Sequence, residues 1–138
     1  MPFLLDTNIL SELRKGDRCD SKVARWAVRK RGEAHYISVL SLGEIRKGIE
    51  LLRSKSPDRC DALEVWLRKL RVDYASCTVG ITPEIAERWG KMCSLRPLRV
   101  IDSLLAATAF ELRLTLATRN TSDFDGLGIA TVDPFQEP

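Results

Sequence analysis

The chain alternates short apolar runs with longer stretches whose apolar residues recur every three or four positions. The first run, Phe3-Leu4-Leu5, stops at Asp6, and Thr7-Asn8 follow with side chains that favour turns and caps. A strand should therefore run straight into a helix. Ile9, Leu10 and Leu13 line one face of that helix, and Gly16 is placed to end it. A second helix should begin near Asp20-Ser21, turn Val23, Trp26 and Ala27 inward, and stop at Gly32. Tyr36-Ile37-Ser38-Val39 then reads as strand. Ser41-Leu42-Gly43-Glu44 should open a third helix, with Leu42, Ile45, Ile49 and Leu52 on its buried face and Arg46, Lys47 and Glu50 toward water.

Ser56-Pro57 marks the start of a fourth helix, striped by Leu63, Trp66, Leu67 and Leu70 up to Tyr74. A short strand around Cys77-Thr78-Val79 precedes Thr82-Pro83, which starts a helix carrying Ile85, Trp89 and Met92 inward, with Pro97 beyond it. From Val100, the segment VIDSLLAATAFELR is apolar on nearly every side, as suits a helix buried against a sheet. Leu114 to Thr118 reads as strand, Arg119 to Phe124 as a polar turn, and Ile129 to Val132 as a last strand before Asp133-Pro134. Strands separated by helices predict an α/β fold with a parallel sheet covered on both faces.

Composition narrows the class. A chain of 138 residues, 44% hydrophobic and 30% charged, suits one domain over residues 1–138 with an ordinary soluble core. No apolar run reaches the roughly 18–20 residues that span a bilayer. MPFLLDTN meets an acid before a signal peptide could form, so a cytoplasmic location without a membrane partner is expected. Cys19, Cys60, Cys77 and Cys93 are scattered, without a C-x-x-C pair, and are expected to be reduced thiols rather than a zinc site or a disulfide framework. His35, the single histidine, lies in a strand-like stretch and is expected to be packed. The net charge of +3 conceals an uneven distribution. Arg14 to Arg71 holds 16 basic and 8 acidic residues, whereas Val100 to Pro138 holds 2 basic and 6 acidic ones. A solvated helix face and a nucleic-acid contact both fit the basic stretch.

Candidate chemistry lies where the strands end, because ligands of open parallel sheets bind beyond the strands' carboxyl ends. Asp6 ends the first strand, Glu44 opens the helix after the second, Asp102 opens the buried helix, and Asp123 follows the fourth strand. Each has a structural alternative. Ser41 and Glu44 have the spacing of a capping box, Asp102 suits the positive end of a helix, and Asp123 suits a turn, with Asp125 as a competing acid. Asp6, closing an apolar strand, is the hardest to explain structurally. Four carboxylates in one crevice repel unless a cation sits among them, and Mg²⁺ or Mn²⁺ suits oxygen ligands better than zinc does.

Taken together, LLDTNILSEL, SVLSLGEIRKGIE, IDSLLAATAFELRLTLATRN and TSDFDGLGI resemble, in order and over essentially the whole chain, the PIN-domain ribonucleases, specifically the VapC or FitB-like toxins of bacterial toxin–antitoxin pairs. The resemblance implies a three-layer α/β/α sandwich with a central parallel sheet of four to five strands. It implies a Mg²⁺- or Mn²⁺-dependent endoribonuclease whose catalytic acids are Asp6, Glu44, Asp102 and Asp123, with Asp6, Asp102 and Asp123 as metal ligands and Asp125 as a secondary acid. Thr7, Asn8, Thr118 and Asn120 match polar residues that hold carboxylates and water, and Ser103 stands where alanine is usual. A VapB- or FitA-like antitoxin, 5′-phosphate products, and a homodimer within a larger assembly are also implied. Arg14, Lys15, Arg46, Lys47 and Arg119 are the basic residues expected to meet RNA. A receiver-like signalling domain and a non-catalytic binding module remain as alternatives. The former lacks the expected lysine after Lys91, and the latter would use Trp26, Trp66 and Trp89 to dock a partner.

Overall fold

The computed structural model describes residues 1–138. Five strands, β1 (Phe3–Leu5), β2 (His35–Ser38), β3 (Thr78–Val79), β4 (Thr115–Ala117) and β5 (Thr131–Val132), form one sheet in the order β3-β2-β1-β4-β5. All four pairings are parallel. A receiver-type sheet runs 2-1-3-4-5, so the order here removes that alternative.

Six helices connect the strands: α1 (Thr7–Leu13), α2 (Ser21–Arg29), α3 (Val39–Arg53), α4 (Pro57–Asp73), α5 (Pro83–Leu95) and α6 (Val100–Leu112). The period of two along the strands decides which helices cover which face. Phe3, Leu5 and Ala117 point into a cluster with Ile9, Trp26, Ile49 and Leu67, which places α1 to α4 on that side. Leu4 and Leu116 point into a second cluster with Ile85, Met92 and Leu105, which places α5 and α6 on the other. The result is three layers, and β1 contributes to both cores. Every residue of β1 is buried, and truncating such a side chain to alanine costs about 2–5 kcal/mol.

Most boundaries follow the sequence pattern, and one departs from it in a way that matters. The third helix starts at Val39, two residues before the expected Ser41, because the Ser38 hydroxyl accepts the Leu40 N–H at 3.0 Å and caps it. Ser41 is therefore inside the helix and buried. α1 ends before Gly16, which has φ +59° and opens a short 3-10 turn, and α2 ends at Arg29, ahead of Gly32. His35 is half-buried, stacked on Trp26 with centroids 5.8 Å apart, its Nε2 3.0 Å from the Lys30 carbonyl. All four cysteines are free thiols.

Candidate active site

β1 and β4 lie side by side in the sheet, and the chain leaves them toward opposite flanks, β2 and β3 on one side and β5 on the other. Such a reversal opens a crevice past the strands' carboxyl ends. Leu5 is in register with Ala117, so Asp6 and Thr118 leave the sheet together at that crevice. Asp6 is only 7% exposed. Its Oδ1 accepts the Thr7 N–H at 2.7 Å, and its Oδ2 accepts the Thr118 hydroxyl at 2.8 Å and the Asn8 amide at 3.4 Å. Burial pushes its pKa above the ordinary carboxylate value. The bonds from Thr118 and Thr7 oppose that rise, and the charges of Asp102 and Glu44 add to it.

The early start of α3 carries Glu44 into the helix's second turn and excludes the capping-box reading, since Ser38 holds the cap. Glu44 is held instead from the first strand's side: the Thr7 hydroxyl donates to its Oε1 at 2.6 Å and lies 3.0 Å from the buried Ser41 hydroxyl. Asp102, in the first turn of α6, is half-buried. Burial raises its pKa, Asp123 raises it further, and Arg99 opposes the shift. Asp123 is exposed on a 3-10 turn, Thr121–Phe124. Arg96 braces that turn by donating to the backbone carbonyls of Asp123 at 3.4 Å and Asp125 at 2.9 Å. The charge acting on Asp102 is that of Asp123, not Asp125.

The four acids thus form an electrostatic series from Glu44 through Asp6 and Asp102 to Asp123, and no ion pair in the molecule includes any of them. No three Asp, Glu, His or Cys side chains stand together in ready ligating geometry. The donors are all oxygen and spread along an open crevice, a set that fits a hard cation keeping several of its waters, as Mg²⁺ does. The polar residues also differ in role. Asn8 ties the loop after β4 to α1 by accepting the Arg119 N–H at 3.2 Å. Asn120 enters through its backbone, with its N–H on the Thr118 hydroxyl at 3.2 Å and its carbonyl accepting from the Asp123 N–H at 3.1 Å.

The expected basic residues are dispersed. Arg46 forks onto Glu64 at 2.6 and 3.0 Å and also meets Glu50 at 3.1 Å. That contact pulls the Glu64 carboxyl down to about 2. Lys15 pairs with Glu12 at 2.9 Å. Arg14 lies over the Trp66 ring and Arg119 over Phe135. Lys47 borders a shallow apolar groove shared with Glu44, Leu40 and Leu51. The basic side chains in the pocket with Asp102 and Asp123 are Arg96 and Arg99, which charge counting does not single out. Of the three tryptophans, Trp26 is wholly buried, and Trp89 is half-buried with its indole N–H on Ser103 at 2.9 Å.

Comparison with known proteins follows the same lines. The sequence model of the PIN domain matches residues 3–128. The toxin FitB of Neisseria gonorrhoeae is 26% identical over 142 residues, covering 98% of this chain and 99% of its own. The VapC ribonuclease Y4jK of Sinorhizobium fredii is 27% identical over 144 residues, covering 97% of this chain and 98% of its own. Among solved structures, FitAcB from Neisseria gonorrhoeae superposes with a TM-score of 0.85 at 26% identity, over 97% of this chain and 99% of that one. A toxin–antitoxin complex from Klebsiella pneumoniae gives 0.68 at 27% identity, over 98% of each chain.

Proposed function

Because the chain belongs to the PIN-domain family, we propose that it is a divalent-metal-dependent endoribonuclease toxin, arresting translation or growth by cutting RNA and neutralised by a cognate antitoxin. The observation that carries this reading is the mutual electrostatic influence of Glu44, Asp6, Asp102 and Asp123 at the β1/β4 crevice, with none of the four in an ion pair. Asp6, Asp102 and Asp123 would hold Mg²⁺ or Mn²⁺, which supplies a lowered pKa for water and stabilisation of charge on the phosphoryl oxygens. Glu44 keeps Oε2 uncommitted while Thr7 fixes Oε1, so the free oxygen is placed to take a proton from attacking water. Thr118 and the Thr7 N–H donate to Asp6 and offset part of the cost of ionising it where it is buried. Attack by water with departure of a 3′-hydroxyl leaves a 5′-phosphate.

An antitoxin segment carrying an arginine or lysine would meet the unpaired acids directly, because a charge-assisted bond to a partly buried carboxylate is strong. The toxin–antitoxin complex from Klebsiella pneumoniae supports an antitoxin as the partner. No helix is long and apolar enough to cross a membrane. The test is incubation of the purified protein with total RNA and Mg²⁺ or Mn²⁺, with and without chelator, mapping the new 5′ ends. We expect chelator-sensitive cuts bearing 5′-phosphates, lost in Asp6→Asn. Undiminished cutting by Asp6→Asn would remove the mechanism.

A further inference from the structure

We propose that Arg99 seats an RNA phosphate beside the one being cut, in the pocket between the α5–α6 linker, the start of α6 and the Asp123 turn. The proposal rests on the ribonuclease reading above and adds to it the contact that draws an anionic substrate toward an acidic crevice. The pocket has a volume of about 220 Å³ and is lined by Arg96, Arg99, Asp102, Ser122 and Asp123, among others. That is below the roughly 300 Å³ at which drug-sized ligand sites begin, and it suits a phosphodiester group with its waters.

The two arginines of this pocket have different duties. Arg96 is spent on the carbonyls of Asp123 and Asp125. The Arg99 side chain is exposed and makes no hydrogen bond or ion pair within the chain, while its backbone carbonyl accepts from Ser103, and its charge acts on Asp102. A guanidinium offers five donors and a planar fork that matches phosphate oxygens. The three arginines that the sequence pattern singles out are all engaged: Arg46 with Glu64, Arg14 over Trp66 and Arg119 over Phe135. No side chain caps α6 at Arg99, and the positive end of that helix adds to the attraction for an anion.

The experiment measures anisotropy of a short fluorescein-labelled single-stranded RNA of mixed sequence with the intact protein in EDTA, across a series of salt concentrations. Arg99→Ala should weaken binding about tenfold, the scale of one charge-assisted contact. It should also make the slope of log K against log salt shallower by about 0.7, one phosphate on a single strand. Arg99→Lys should keep the slope and lose only part of the affinity. A DNA strand of the same sequence should show the same loss, since the contact is to phosphate. With Mg²⁺ present, Arg99→Ala should raise KM about tenfold while kcat stays within about twofold. Equal affinity and slope in Arg99→Ala would overturn the subsite alone, as would a loss confined to RNA. A wild-type protein that neither binds nor cuts RNA would overturn the ribonuclease reading with it.

Discussion

Replacing Thr118 by valine keeps the shape of a wholly buried side chain and removes one hydroxyl. That hydroxyl donates to Asp6 Oδ2 at 2.8 Å and accepts the Asn120 N–H at 3.2 Å. Asn120 is exposed, so its N–H recovers a water partner, whereas the buried Asp6 Oδ2 is left with only the long 3.4 Å bond from the Asn8 amide. A hydrogen bond to a charged group is worth about 1.5–3 kcal/mol. Thr118→Val should therefore cost about 2 kcal/mol near neutral pH, lowering Tm by about 8 °C for a chain of this size. The cost belongs to the ionised carboxylate. Asp6 has a folded pKa above its unfolded one, so its ionisation destabilises the fold above the folded pKa, and that penalty fades as pH falls through it. The cost of Thr118→Val should shrink over the same fall. Urea melts in EDTA, at neutral and mildly acidic pH, of wild type, Thr118→Val, Asp6→Asn and the double variant measure this directly. We expect a coupling of about 1 kcal/mol or more between the two sites at neutral pH. A cost under about 0.5 kcal/mol, or strict additivity with Asp6→Asn, would refute the account.

Two further outcomes follow from hydrogen bonds at the crevice. Thr7→Val frees Glu44 from its 2.6 Å restraint and should lower kcat ten- to a hundredfold. KM for RNA should change less than about twofold, because no phosphate contact is lost. Thr7→Ser should restore most of the rate in steady-state assays with a fluorescent RNA, and an inactive Thr7→Ser would argue against the hydroxyl's role. Ser103→Ala strips the Trp89 indole N–H of its acceptor at 2.9 Å and releases a bond to the Arg99 carbonyl at 2.6 Å. A loss of about 1 kcal/mol and a shift in tryptophan emission are expected. An unchanged melt and spectrum would show that water replaces the serine.

The layered parallel fold was legible because its signals are local. Apolar runs end at turn residues, and helix stripes recur at regular spacing. Asp6 is legible for the same reason, as an acid that closes a buried strand, although the structure also gives it a local duty at the start of α1, where its side chain accepts the Thr7 N–H. The start of α3 departs from the sequence pattern because Val39 and Leu40 extend an apolar strand run, whereas the Ser38 hydroxyl caps the helix two residues early. That shift of two residues decides what Glu44 does. The basic residues were harder still, because pairing across helices leaves no trace in spacing. Arg46 and Glu64 are 18 positions apart and meet only when α3 packs on α4. Arg99 differs from its paired neighbours only in what surrounds it after folding.

The bond between Asp6 and Thr118 joins residues 112 positions apart. A ribosome adds roughly 5–20 residues per second, so several seconds or more separate the emergence of the first acid from that of the hydroxyl that steadies it. During that interval β1 has no β4 to pair with, and the crevice between them does not exist. A nascent chain, or a fragment broken off before β4, therefore carries the first catalytic candidate without the pocket that makes it one. The order of synthesis itself therefore delays the assembly of the crevice until most of the chain has left the ribosome.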